Sequence, residues 1–207
     1  MNLNRLKTAE SNFMDMYPGG FGNPVMEQIA KKHKPEKMRL MAQQLLNENL
    51  FADVENMTKN INKLICASSM VSVFEKPKFR DFTRDIDYKT KQILVEAHYD
   101  LIHGDQRKGF NLLVNLLEKY RLAKWTYVTA CLFYYRPEKE IFIKPTTCKG
   151  VIRFFELEGL TYRPLPDYDF YVKYRKALNE LKKQTSGLSD VDNGAFSGFL
   201  MMSLPEK

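Results

Sequence analysis

Residues 107–153, RKGFNLLVNLLEKYRLAKWTYVTACLFYYRPEKEIFIKPTTCKGVIR, form the stretch that decides the fold. They contain ten basic and three acidic residues, a net charge of +7 that equals the formal charge of the whole chain. The other 22 basic and 22 acidic residues cancel. Because concentrated positive charge attracts polyanions, the sequence predicts that residues 107–153 bind nucleic acid or another polyanion.

A β-hairpin is predicted inside this stretch. Residues 133–135 (FYY) and 140–143 (EIFI) are rich in aromatic and β-branched side chains, which favour strands. The four residues between them, 136–139 (RPEK), are typical of a hairpin turn. We therefore expect one small antiparallel hairpin over residues 133–143.

The order of the elements matches a winged helix-turn-helix in the C-terminal half. Helical spacing over residues 106–120 and 124–132 precedes the hairpin, so the second helix would enter a groove and the hairpin tip would contact phosphates. The alternative is a core helix under a hairpin lid, since Trp125, Val128 and Leu132 must pack inward. The nucleic-acid-binding residues that the first interpretation predicts are Lys124, Thr126, Tyr127, Arg136 and Lys139.

A second candidate site follows the hairpin at residues 144–149 (KPTTCK). Thr146 or Thr147 is predicted to cap a helix there, and the free N–H groups of a helix start bind anions. Two hydroxyl groups and two lysines add donors and charge. Lys144, Thr146, Thr147 and Lys149 are therefore predicted to bind a phosphorylated or carboxylated small molecule; the alternative is an ordinary capped helix with solvated lysines.

Cys148 in the same segment is a candidate nucleophile. A helix N-terminus and two neighbouring lysines would lower the pKa of its thiol. The alternative is a buried, inert thiol, the usual state of a free cysteine. None of the three cysteines has C-x-x-C spacing, which indicates reduced thiols in a cytoplasmic protein.

The remainder of the chain is predicted to be helical. Residues 68–77 are the candidate seam between a helical N-terminal part and the basic C-terminal part. We expect a mainly α protein, a multi-helix bundle with one hairpin, in a single integrated domain over residues 1–207. Asparagine and aspartate residues that precede apolar stripes predict helix N-caps, namely Asn23, Asp53, Asp87, Asp105 and Asp167, with Ser189 or Asp190 in the tail.

The sequence contains no candidate membrane span. The longest apolar run, residues 130–135, is far shorter than the about 20 residues needed to cross a bilayer, so no membrane span is expected.

The histidine spacing does not favour a metal site. His98 and His103 are five apart and fall on different helix faces. We predict no metal site and no cofactor. The alternative is a carboxylate-rich metal site that would add the neighbouring acids Glu96, Asp100 and Asp105.

The C-terminal tail ends in an apolar segment, residues 196–202 (FSGFLMM). Such a segment usually docks on the core, and the alternative is a homo-oligomer interface. A structural or oligomeric scaffold is therefore a third prediction, beside nucleic-acid binding and small-molecule binding. A convex basic surface would favour nucleic acid, whereas a concave pocket with converging polar groups would favour a small ligand.

Several blocks of the sequence together resemble a known family. They are residues 5–10 (RLKTAE), 69–72 (SMVS) with 74–77 (FEKP), 142–147 (FIKPTT) and 193–200 (NGAFSGFL). The family is one of uncharacterised bacterial cytoplasmic proteins, and the resemblance covers the full chain. It implies a bacterial cytoplasmic setting and one conserved unit, but no activity and no site residue.

Overall fold

The structure is a computed structural model that describes residues 1–205. Those residues form eleven α-helices and no β-strand. Two short 3-10 helices, Gly20–Gly22 and Glu48–Leu50, are also present. The α-helices are α1 (Leu3–Met16), α2 (Pro24–His33), α3 (Pro35–Leu45), α4 (Val54–Ala67), α5 (Lys76–Asp85), α6 (Tyr88–Ile102), α7 (Gln106–Lys119), α8 (Trp125–Tyr135), α9 (Pro145–Phe154), α10 (Tyr168–Lys183) and α11 (Asn193–Met202).

Side-chain capping sets the start of most predicted helices. In each case a side-chain oxygen accepts a hydrogen bond from a backbone N–H group of the first turn, which otherwise has no partner within the helix. These bonds confirm the predicted starts of α2, α4, α6, α7 and α10. The capping residues are Asn23, Asp53, Asp87, Asp105 and Asp167.

Helix α8 lies at the centre of the bundle. Residues 125–134 are all buried, and the helix packs against α3, α4, α6 and α7. The indole N–H of Trp125 donates to the backbone carbonyl of Arg163 at 2.8 Å, so even its polar atom is satisfied inside the protein. Because α8 is buried on every side, it has no polar face and shows no helical periodicity in the sequence.

The predicted hairpin over residues 133–143 is wrong. Residues 133–135 form the last turn of α8, and residues 140–144 are extended but pair with no strand in residues 1–205. Without a hairpin there is no wing, so the winged-helix interpretation of the C-terminal half is wrong as well. The all-α helical bundle is the part of the prediction that fits.

Side chains replace the missing strand partner of the extended segment 140–144. The backbone N–H of Ile141 donates to the hydroxyl of Tyr171 at 3.4 Å, and that of Ile143 donates to the hydroxyl of Thr129 at 3.1 Å. Buried backbone groups must find partners of some kind. Here the partners come from α8 and α10, which hold the extended segment between them.

Helix α1 is fastened to the C-terminal half of the chain. The backbone N–H of Asn2 donates to the carbonyl of Phe155 at 2.7 Å. One carboxylate oxygen of Glu10 accepts the backbone N–H groups of Ser186 and Gly187, both at 2.8 Å. These bonds place α1 beside the ends of α9 and α10.

The segment 68–77, predicted as a seam, contains the turn between α4 and α5 and the first two residues of α5. One cluster of buried apolar side chains contains residues from both sides of it. No helix in residues 1–205 combines the length and the apolar composition needed to cross a bilayer.

Candidate functional site

Part of the positive charge of residues 107–153 is taken up in ion pairs. Arg107 binds Asp169 at 2.7 Å, and Lys108 binds Asp100 at 2.7 Å. Exposed pairs of this kind contribute little to stability. They do reduce the uncompensated charge that this stretch offers to a polyanion.

Three of the residues predicted to contact nucleic acid bind Glu75 instead. The ammonium group of Lys124 lies 2.9 Å from Oε1 of Glu75, and the hydroxyl of Thr126 donates to Oε2 at 3.2 Å. The hydroxyl of Tyr127 donates to the backbone carbonyl of Glu75 at 2.7 Å. Thr126 and Tyr127 are buried, so the structure places them between α8 and the start of α5, away from any open groove.

The other two predicted contacts, Arg136 and Lys139, lie on the turn that follows α8. The guanidinium group of Arg136 donates to the carbonyl of Ile102 and lies 5.7 Å from the ring of Tyr135. Lys139 is exposed, and its backbone carbonyl accepts a hydrogen bond from the amide of Asn179 at 3.3 Å. The five residues are therefore divided between a buried helix and a surface turn.

The segment 144–149 forms the start of α9. The prediction that Thr146 or Thr147 caps this helix is wrong, because the helix begins at Pro145 and its N-cap residue is Lys144. Lys144 and Thr147 line a pocket, whereas Thr146 is exposed and outside the pocket lining. The structure therefore brings two of the four predicted anion-binding residues together in a concave site.

The two remaining polar residues of α9's first turns have different surroundings. The ammonium group of Lys149 lies 5.3 Å from the ring centre of Tyr162, outside the pocket lining. Cys148 lines the pocket but is buried, and burial raises the pKa of its thiol to about 12. Since the thiolate is the nucleophile, the structure supports the inert thiol over the reactive one.

The pocket is a cavity of about 400 Å³ where α2, α3, α9 and α11 meet. This volume is typical of sites for small molecules, which are mostly apolar with a few polar groups. The turn before α5 and the end of α8 close it from the other side. Its apolar walls are formed by Phe21, Met26, Ile29, Met70, Phe133, Phe142, Tyr174 and Met201.

Helix α11 presents small residues and its two terminal methionines to this pocket, and its phenylalanines to the core. Gly194, Ala195, Ser197 and Gly198 line the pocket, whereas the neighbouring phenylalanines are fully buried in the core. A Cβ atom built on Gly198 would meet nothing within 4 Å. Open space therefore lies directly over the helix backbone at this position.

The prediction of a cap for this helix at Ser189 or Asp190 is wrong. Asp192 is the N-cap residue, and one of its carboxylate oxygens accepts the backbone N–H of Ala195 at 2.8 Å. The tail was predicted only as a docking or oligomer segment. The alternation of small and large residues in NGAFSGFL was the signal that could have indicated a pocket wall.

Most charged groups that line the pocket already have partners. The guanidinium group of Arg39 binds both carboxylate oxygens of Glu36, at 2.9 and 2.6 Å. The carboxylate of Asp192 is held by the start of α11. Within residues 1–205, Lys144 is in no ion pair, and it is therefore the cation most available to a ligand.

The start of α9 adds hydrogen-bond donors next to Lys144. No side chain in the described part of the chain caps this helix. The backbone N–H groups of Thr146 and Thr147 accordingly have no partner elsewhere in residues 1–205. Free N–H groups of this kind favour a negatively charged group at the helix start.

A histidine and a serine meet at the pocket lining. Nδ1 of His33 lies 2.9 Å from the hydroxyl of Ser69, and both residues are exposed. Nucleophilic catalysis also needs a group that orients the histidine and donors for an oxyanion. Among the described hydrogen bonds no carboxylate holds the second ring nitrogen of His33, and the contribution of the pair to the pocket lining is two polar groups.

The alternative metal site near His98 has no support in the geometry. Glu96 and Asp100 both bind the ammonium group of Lys108, at 3.1 and 2.7 Å. His98 is buried, and its Nδ1 lies 2.8 Å from the carbonyl of Leu94. The described residues contain no group of three or more potential ligands that could hold a metal ion.

Comparisons with known protein families, with curated proteins and with solved structures find no match for this chain.

Proposed function

We propose that this protein binds a small amphipathic acid, a molecule with an apolar body and one carboxylate or phosphate group, in the pocket between α2, α3, α9 and α11. The observation that carries the proposal is the pocket of about 400 Å³, which combines apolar walls with the unpaired cation Lys144. The sequence predicted binding of a phosphorylated or carboxylated small molecule at residues 144–149, and the present proposal extends that site to the whole pocket.

The apolar walls define the body of the ligand. Apolar surface transferred out of water contributes about 25 cal/mol per Å², so a chain or ring that fills the pocket gains most of its affinity there. Gly198 lets that body approach the backbone of α11 closely, because the space above it is open. Met70 and Met201 have flexible side chains that adapt to the ligand's shape.

The start of α9 defines the head group. Lys144 supplies a full positive charge, and the uncapped first turn supplies N–H donors beside it. Charge-assisted hydrogen bonds are about twice as strong as neutral ones. A carboxylate or a phosphate at this end therefore binds better than a hydroxyl group on the same body.

The other predictions stay predictions. Nucleic-acid binding by residues 107–153 has lost its winged-helix basis, and two of its five proposed contacts are buried. An oligomer through residues 196–202 would have to use Met201 and Met202, which are exposed, because Phe196, Phe199 and Leu200 are buried in the core. Membership of the bacterial family, and with it the cytoplasmic setting, also remains a proposal.

The experiment is a displacement assay with a fluorescent amphipathic acid, anilinonaphthalene sulfonate, as the probe. Decanoate and its neutral counterpart decanol are titrated against the bound probe. We expect both to displace it, with decanoate stronger. Gly198→Phe fills the open space over α11 and is expected to weaken binding of both molecules by more than about tenfold.

Lys144→Gln tests the head group separately. It is expected to reduce the preference for decanoate over decanol without abolishing binding of decanol, because the apolar walls remain. The matched control is Lys149→Gln, which removes a lysine of the same helix outside the pocket lining. The proposal fails if the wild-type protein shows no saturable binding, or if Gly198→Phe binds as tightly as wild type.

A further inference from the structure

Two adjacent apolar side chains protrude from the turn between α4 and α5. Val73 is 70% exposed and Phe74 is 81% exposed, the largest exposed fractions among the large apolar side chains of residues 1–205. Scattered exposed apolar residues are ordinary. An adjacent pair held this far out of the surface is not, because burying either side chain would gain about 1.5–3 kcal/mol.

The turn that carries this pair is held rigidly on its N-terminal side. The hydroxyls of Ser68 and Tyr134 are hydrogen-bonded at 2.8 Å, and the backbone N–H groups of Met70 and Val71 donate to the Ser68 hydroxyl. Ser68 and Val71 are buried. The first half of the turn is therefore part of the core.

The other side of the turn is held just as firmly. The backbone N–H groups of Glu75 and Lys76 donate to the carbonyl of Ser72, at 2.9 and 3.1 Å. The carboxylate of Glu75 is bound by Lys124 and its carbonyl by Tyr127. Because both sides are fixed, the backbone at Val73 and Phe74 cannot move onto the protein without breaking these bonds.

Two lysines follow the protruding pair closely in the chain. Lys76 and Lys78 follow it in the chain and are in no ion pair within residues 1–205. The nearest acid, Glu75, is neutralised by Lys124 at 2.9 Å. The exposed apolar pair is therefore followed, within four residues of Phe74, by two lysines that no acid in the described part of the chain neutralises.

We propose that Val73 and Phe74 form a docking tip that inserts into the head-group region of a membrane containing anionic lipid, with Lys76 and Lys78 on the lipid phosphates. Apolar side chains buried at the interface together with adjacent basic residues are the combination that binds peripheral proteins to such membranes. A lipid surface needs no complementary cavity, which suits a tip of only two residues. A stable protein interface would need about 800 Å² on each side.

The docking tip lies on the same turn as one wall of the pocket. Ser69 and Met70 line the pocket, and Val73 begins the tip three residues further on. An amphipathic acid partitions into bilayers, so a tip that brings the pocket to the membrane also brings it to its ligand. The docking tip stands on its own geometry, however, and does not require the pocket to bind anything.

The test is sedimentation of the full-length protein with vesicles of phosphatidylglycerol mixed with phosphatidylcholine, and with vesicles of phosphatidylcholine alone. We expect binding to the anionic vesicles that weakens as salt is added. Phe74→Ser is expected to reduce that binding by about tenfold, since one aromatic side chain no longer enters the interface. Lys76→Gln with Lys78→Gln should reduce binding to anionic vesicles only.

The control is Leu165→Ser, an exposed leucine in the loop between α9 and α10. It should leave vesicle binding unchanged. The competing explanation is that the tip joins two copies of this chain, and sedimentation velocity without vesicles tests it. If Phe74→Ser abolishes self-association and leaves vesicle binding unchanged, the proposal is overturned. Equal sedimentation of wild type and Phe74→Ser with anionic vesicles overturns it as well, whatever the displacement assay of the pocket shows.

Discussion

His98 is an ionisable side chain held inside the protein in its neutral form. It is 1% exposed, its Nδ1 lies against the carbonyl of Leu94, and its Nε2 has no hydrogen-bond partner in residues 1–205. Burial lowers the pKa of the imidazole from its usual 6.5 to about 4. Between these two pH values the imidazole is therefore protonated in the unfolded chain and neutral in the folded protein.

This difference predicts how stability depends on pH. The pKa of His98 is lower in the folded state, so its contribution to stability is complete above pH 6.5 and is lost as the pH falls towards 4. The full loss is about 3 kcal/mol. We expect the free energy of unfolding, measured by urea titration at several pH values, to fall less steeply across this window in His98→Gln. His33 is exposed and serves as the control. If His33→Gln reduces the pH dependence of the free energy of unfolding by as much as His98→Gln does, the assignment to His98 is wrong.

Glu140 and Arg175 form an ion pair inside the C-terminal half. The carboxylate of Glu140 is 0% exposed and also accepts hydrogen bonds from the hydroxyl of Tyr171 at 2.8 Å and the amide of Gln106 at 3.1 Å. The pair links the extended segment to α7 and α10. Sequence reasoning missed it, because Glu140 was assigned to a hairpin strand and nothing in the local pattern marks its partner 35 residues away.

Breaking this pair from one side should cost more than removing both charges. Arg175→Met leaves the Glu140 carboxylate buried without a counter-charge, which typically costs about 3–5 kcal/mol. Adding Glu140→Gln removes that stranded charge, so the double variant should be more stable than Arg175→Met alone. Urea unfolding of the two single variants and the double variant measures the coupling. Additive losses would show that the two groups do not depend on each other.

Helices α6 and α7 approach closely at a glycine. A Cβ atom on Gly109 would lie 2.1 Å from the backbone nitrogen of Leu101 and 2.6 Å from the carbonyl oxygen of Ala97. No flexible side chain can move to relieve a contact with backbone. The two helices pack at this distance only because residue 109 has no side chain.

The close approach predicts opposite effects for two Gly→Ala substitutions in helices. Gly109→Ala should cost more than about 3 kcal/mol or prevent folding, because α6 and α7 must separate. Gly198→Ala, in the middle of α11 with open space above it, should be neutral or stabilise by up to about 1 kcal/mol through helix propensity. Thermal unfolding followed by circular dichroism compares them. A Gly109→Ala protein as stable as wild type would contradict the α6–α7 packing.

At the scale of elements, the sequence predicted exposed helices well and the central one badly. A helix with one solvent-exposed face has an N-cap residue and an apolar stripe. Asp53 and Asp105 could be assigned as N-cap residues from that pattern alone. Helix α8 has no solvent-exposed face and therefore no apolar stripe. The aromatic residues at its end, 133–135, were for that reason predicted as a strand. Residues 140–143 were predicted as a strand and form none, because side-chain partners such as Tyr171 and Thr129, which bind their backbone, cannot be read from the sequence.

For the whole molecule, charge could be counted from the sequence but not placed. The excess in residues 107–153 suggested one basic surface, yet Arg107 and Lys124 each bind an acid from a distant part of the chain, and Lys108 binds Asp100 of the preceding helix. The pocket likewise joins helices from both halves, so only Lys144, Thr147 and Cys148 of its lining were predicted as site residues. Sites formed by long-range packing leave little trace in local patterns.

The same long-range packing predicts that the chain unfolds as one unit. Trp125, the single tryptophan, is buried in α8, which contacts helices on both sides of the segment 68–77. Helix α1 is bonded to residues after α9 and α10, so neither half can unfold without exposing the other. Urea unfolding followed by tryptophan fluorescence and by far-UV circular dichroism should therefore give coincident transitions. Dichroism that is lost in two steps, with fluorescence following only one of them, would show that residues 68–77 separate two domains.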